Sequence, residues 1–179
     1  MKKLEIKTSL FLTLAGMLMS IGIWAQSPAA TATGKAGGAT ITVTYSSPSV
    51  KGRKIFGGLV PYDKVWRAGA NQVTTIVTDN VVKVGGKDLP AGKYSLYIIP
   101  SEKDWTFIIN SQTGQWGIKK DGSTTRDPAK DIITVMATPA KTASLVESMV
   151  YVINDKGLSL KWENTEVLMA ITEDSRNKK

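Results

Sequence analysis

From Thr40 to Ile171 the chain alternates apolar with polar residues and is cut about every 8–12 residues by Gly, Pro, Asn or Asp, the signature of short strands joined by turns. Such punctuation leaves no room for a long helix. Ile41, Val43 and Tyr45 alternate with Thr40, Thr42 and Thr44, the period of a half-buried strand, and Pro48 ends the run because it has no amide to give a ladder. Further strands are expected over 73–78, 81–84, 94–99, 105–109 (continuing at Trp116 and Ile118), 131–138 and 158–162, with a last one around Val167, Met169 and Ile171. Residues 145–153 read two ways. Leu145, Val146, Met149, Val150 and Ile153 make a helical stripe, whereas the β-branched run 150–153 and the turn at 154–157 favour a strand, which is the expectation here. The pattern predicts an all-β protein: an antiparallel β-sandwich or jelly-roll-like barrel with one long irregular loop segment.

That irregular segment is 45–71. It concentrates Lys51, Arg53, Lys54, Lys64 and Arg67 with Phe56, Tyr62 and Trp66 among glycines and prolines, so it cannot be one regular element. A long loop held on a β-scaffold is a usual seat of function. Yet Gly52, Gly57, Gly58 and Gly69 make neither a dinucleotide nor a phosphate-loop pattern, and no cofactor is implied.

The chain opens as a secretory leader does: Lys2, Lys3 and Lys7, an apolar run over 10–19, then small residues around Ala25, where cleavage is expected. The apolar run is shorter than the roughly 20 residues a spanning helix needs, so no stable span is expected after cleavage. Residues 26–38, rich in Ala, Thr and Gly, read as a flexible lead-in, 39–174 as a single β-sandwich domain, and 175–179 as a basic tail. The expected compartment is periplasmic or extracellular. Export makes nucleic acid an improbable partner for a chain of net charge +8, part of which sits in leader and tail. There is no cysteine and no histidine. The core must therefore hold the fold without disulfides. Ser-His-Asp and Cys-His machinery and the common zinc ligands are excluded.

Five segments carry a family resemblance: PSVKGRKIFGGLVPYDKVWRAGAN (48–71), LPAGKYSLYIIP (89–100), WTFIIN (105–110), QWG (115–117) and LKWEN (160–164). In this order they resemble the domain-of-unknown-function family 2911 of uncharacterised bacterial secreted proteins. The resemblance implies a secreted β-rich domain and brings no catalytic residues with it.

Three functional readings follow. The first is a binding module for a small anionic or glycan-like ligand, with Arg53, Tyr62, Trp66, Arg67, Asn71 and Trp116 as candidate ligand residues. Arginine suits bidentate anion recognition, and aromatics pair an apolar face with a polar handle. The plainer account of the same residues is architectural: Lys51 and Lys54 in solvent, Arg67 paired with Asp63 or stacked on Trp66, Trp66 anchoring the loop, Asn71 bonding locally. The second is a carboxylate-dependent hydrolase built on Asp63 and Glu163, with Ser49 and Lys51 as a further conceivable dyad. The third is a structural partner in a cell-envelope assembly. Trp105 and Trp162 are expected in the core.

Overall fold

The computed structural model describes residues 26–174; the expected leader and basic tail lie outside the described residues. Among the described residues ten strands form two antiparallel sheets. They are β1 (Ala29–Ala36), β2 (Ala39–Ser46), β3 (Thr74–Thr78), β4 (Val82–Val84), β5 (Lys87–Leu89), β6 (Gly92–Ile99), β7 (Trp105–Asn110), β8 (Asp131–Ala137), β9 (Ala140–Asn154) and β10 (Gly157–Glu173). One sheet has the order β1-β2-β3-β6-β7-β8 and the other β5-β4-β10-β9. The sheets stack face to face without closing, so the sandwich form of the expectation holds and the barrel form does not. The single helical element among the described residues is a 3₁₀ turn, Pro128–Lys130.

Alternation decides what fills the space between the sheets. Ile41, Val43, Ile76, Leu96, Ile98, Phe107 and Ile109 point inward from the larger sheet, and Leu158, Leu160, Trp162, Val167 and Met169 meet them from β10. Trp105 and Trp162 are both buried, as expected. The opposite face of β6 and β7 carries a second, smaller cluster of Tyr97 and Ile108 with Val73, against which Val65 and Ile99 pack.

Three expectations change. Residues 29–36 are a full strand paired with β2 from Ala29↔Ser46 to Ala36↔Ala39, not a flexible lead-in. Small residues serve because β1 runs against β9: a Cβ on Gly34 would come within 2.7 Å of the Ile153 carbonyl oxygen. The two strands expected near the C-terminus are one, β10, which passes Glu163 by a bulge, with φ 57° there and register shifts on either side. Trp116 and Ile118 do not extend a strand; Ile118 makes one isolated bridge to Thr124 inside the loop that joins β7 to β8. Residues 145–153 lie in β9, in the strand form expected for them.

The long irregular segment runs between β2 and β3, which are neighbours in the sheet. It leaves and returns to almost the same place, as compact Ω-type loops do. Its tip tucks Ile55, Phe56 and Val60 into the core. Its returning arm lies along β6, with Trp66 and Ile98 exchanging both backbone hydrogen bonds (2.8 and 2.9 Å) just beyond the point where β3 begins at Thr74↔Leu96. The loop thus supplies the strand position that β3 is too short to fill.

Candidate functional site

Two loops meet at one end of the sandwich. The 47–73 loop forms one bank of a cleft of about 740 Å³, and the β7–β8 loop forms the other through Ile118, Gly122, Ser123 and Thr124. Trp162, on β10, also lines the cleft and stacks on Trp66.

Backbone conformation fixes the loop. Lys51, Asp63, Ala68 and Asn71 all have positive φ, between 48° and 58°. Side chains other than glycine adopt this region only when their surroundings hold them there. At Ala68 the restraint is visible: its carbonyl accepts the hydroxyls of Thr74 (2.8 Å) and Tyr151 (2.8 Å), both buried. At Asn71 the side-chain amide donates to the Ser27 carbonyl (3.0 Å) and the Ser46 hydroxyl (3.2 Å). The outgoing arm is held by β9: Val50 N donates to Glu147 O, Met149 N to Pro48 O, and Ser47 Oγ to Met149 O. The Glu163 bulge contributes a carboxylate that accepts from Ile55 N at 3.2 Å.

Trp66 stacks on Trp162 (centroids 6.1 Å apart, planes at 21°) and meets Phe56 edge-on; Phe56 in turn contacts Trp105 at 4.5 Å. The Trp66 indole N–H donates to Gly69 O at 2.9 Å. The Trp162 N–H is buried and has no hydrogen-bond partner among the described residues.

Arg53, Lys64 and Arg67 line the cleft against one carboxylate, Asp63. Among the described residues none of the three cations has an ion pair. Arg53 is braced by the carbonyls of Val50 (3.0 Å) and Ser49 (2.6 Å), which occupy two of its five N–H donors. Arg67 is half-buried over the Trp116 ring, 5.9 Å from its centroid, with a long contact of 3.5 Å to the Trp116 carbonyl. Loss of water lowers the pKa of its guanidinium from the ordinary value, and no opposing cause accompanies it. Gly117 makes that seat available: at φ 97° its hypothetical Cβ would lie 2.7 Å from Arg67 Cβ.

Of the residues expected from sequence, Arg53, Trp66 and Arg67 line the cleft. Trp116, 49% exposed, lies under Arg67 beside the cleft and does not line it. Tyr62 packs its ring against Gly57 and the core edge, and Asn71 acts as a strut; neither lines the cleft. Arg67 pairs with neither Asp63 nor Trp66. The far bank, Ile118 and 122–124, was not expected, nor was Trp162 as a lining residue. The polar, mixed-charge run 119–130 reads as an exposed loop, but nothing in it pointed to a cleft wall.

The carboxylate pair considered for hydrolysis is divided: Asp63 lines the cleft, whereas Glu163 is engaged with Ile55 N and does not line it. Ser49 faces Ser148 at 3.3 Å, and neither Ser49 nor Lys51 lines the cleft. Among the described residues no group of acidic side chains is arranged to hold a metal ion, and no helix is long and apolar enough to cross a membrane.

The profile of a family described as "Protein of unknown function (DUF2911)" matches residues 27–171. No curated protein and no solved structure matches the chain.

Proposed function

The chain belongs to the DUF2911 family, and we propose that it is a binding module that takes a small anionic or glycan-like ligand in the cleft between its two long loops. One observation carries this reading. Arg67 is a half-buried guanidinium on the cleft wall, stripped of part of its water and without a carboxylate partner among the described residues. Burying a cation unpaired is costly, and an incoming anion offsets that cost. Lys64 and Arg53 add positive charge along the same bank. The proposal includes export to the periplasm or beyond, supported by the basic start, the apolar run over 10–19 and the small residues at Ala25.

The cleft has one carboxylate where the paired-carboxylate mechanism of glycoside hydrolysis uses two. A protein partner is the second reading, favoured by Ile132 and Met136, which stand exposed on the edge strand β8.

The test is a thermal-shift screen of sulfated, phosphorylated and uronic-acid glycans and simple carboxylates against wild type, Arg67→Lys and Arg67→Gln. At least one anion should raise the wild-type melting temperature. Arg67→Lys should weaken that response by roughly tenfold to a hundredfold in affinity, and Arg67→Gln should abolish it. Silence from every probe, or variants that melt lower yet respond as wild type does, would overturn the binding role.

A further inference from the structure

We infer that the ligand is an anion carrying an apolar body, such as an aryl or medium-chain carboxylate, and not a hydroxyl-rich sugar; this rests on the binding role proposed above. The hydroxyls of the far bank and the Trp66 N–H are already engaged. Ser123 Oγ donates to Asp121 Oδ1 at 2.7 Å. Thr124 Oγ1 contacts Gly117 O at 3.4 Å and accepts from Arg126 N at 3.0 Å. The Trp66 N–H is committed to Gly69 O. Among the described residues no Asn, Gln or Glu lines the cleft, and Asp63 is its one carboxylate.

A sugar ring seated there would lose water from several hydroxyls and find few partners, which opposes binding. Trp66, which could stack on a sugar, already has one face against Trp162. What the cleft offers instead is apolar surface from Leu59, Val60, Pro61, Val65, Trp66 and Ile118, together with Lys64 and Arg67, which have no ion pair among the described residues. Leu59 is 47% exposed at the cleft, an apolar side chain in water that an apolar body would cover. The cleft thus combines apolar lining with cations that have no ion pair among the described residues, and a ligand with an apolar body and an anionic group answers both.

The experiment is isothermal titration of the purified full chain with four probes at fixed ionic strength: 4-phenylbutanoate, its neutral analogue 4-phenylbutanamide, glucuronate and glucose 6-phosphate. The phenyl acid should bind with a negative heat-capacity change. The amide and both sugar anions should bind at least tenfold more weakly. Leu59→Ser, an exposed position, should weaken the phenyl acid severalfold while leaving the melting temperature near wild type. If a sugar anion binds as tightly as the phenyl acid or more so, the inference falls and the binding role stands. An amide that matches the acid, or a Leu59→Ser variant that binds as wild type does, also overturns the inference. Absence of binding by all four probes overturns the inference, and the broader anion screen then decides the binding role separately.

Discussion

The Ala68 carbonyl offers a quantitative test of how the loop is held. Ala68 is fully buried at φ 57°, and two hydroxyls, from Thr74 and Tyr151, share its oxygen. Removing one hydroxyl, by Tyr151→Phe or Thr74→Val, deletes one neutral hydrogen bond but leaves the carbonyl satisfied by the other. Each change should cost about 0.5–1.5 kcal/mol. The double variant deprives a buried carbonyl of both partners, and an unsatisfied buried acceptor costs about 1–3 kcal/mol in its own right. The cycle should therefore be non-additive, the double variant losing at least about 1 kcal/mol more than the two singles together. Urea unfolding of the four proteins, followed by tryptophan fluorescence, reads this directly, provided the denaturant slopes agree. Additivity within about 0.3–0.5 kcal/mol would refute the shared-acceptor account. Because Ala68 follows Arg67, the double variant should also lose anion binding more than either single.

Other outcomes follow from the same geometry. Trp105→Ala and Trp162→Ala should each cost about 3–5 kcal/mol in equilibrium unfolding. Trp→Phe should be more costly at 105, whose N–H donates to Ser101 O at 3.1 Å, than at 162, whose N–H has no partner among the described residues; the reverse order would contradict the hydrogen-bond assignment. Burial pushes the Tyr151 phenol well above its ordinary pKa of 10.0, with Tyr45 acting in the same direction and the Thr74 hydroxyl against. Above about pH 10 the unfolded chain therefore releases a proton that the folded chain keeps, and stability falls as pH rises; melting curves from pH 8 to 11 should be flatter for Tyr151→Phe. Gly117→Ala should destabilise by about 1 kcal/mol or more through its positive φ and its collision with Arg67, and should weaken anion binding by titration. Mass measurement of exported protein should show loss of the leader near Ala25; a full-length species held in the membrane would refute export.

Strands were legible wherever alternation used large side chains. Ile41, Val43 and Tyr45 announce β2 because one face is buried and the other wet. Ala30, Ala32, Gly34 and Ala36 alternate as strictly in β1, but the close approach of β9 demands small residues, and small residues resemble a linker. The alternation lapses after Trp162 because Glu163 takes a positive φ, yet a bulge carries β10 through it. Density of chemistry pointed to Arg53, Trp66 and Arg67, which do line the cleft. Tyr62 and Asn71 have the same chemistry, but packing and local hydrogen bonds make them braces, and nothing in the spacing tells brace from wall. The far bank is a product of tertiary folding between loops remote in sequence, which no local pattern encodes.

The attachment of the 47–50 arm to β9 has a consequence for how the protein comes into being. Ser47 waits for Met149, 102 residues downstream. At about 5–20 residues per second, ribosomal synthesis leaves that arm without its partner for roughly 5–20 s. Ile55, Phe56 and Trp66 belong to the same arm and its return, so their apolar surface has no finished core to enter during that interval. A chain that stops before β9 can pair β2 with β3 and lay the returning arm along β6 but cannot fasten the outgoing arm. Closure of the cleft is therefore a late event in biogenesis, and a complete cleft marks a chain made to its C-terminal hairpin.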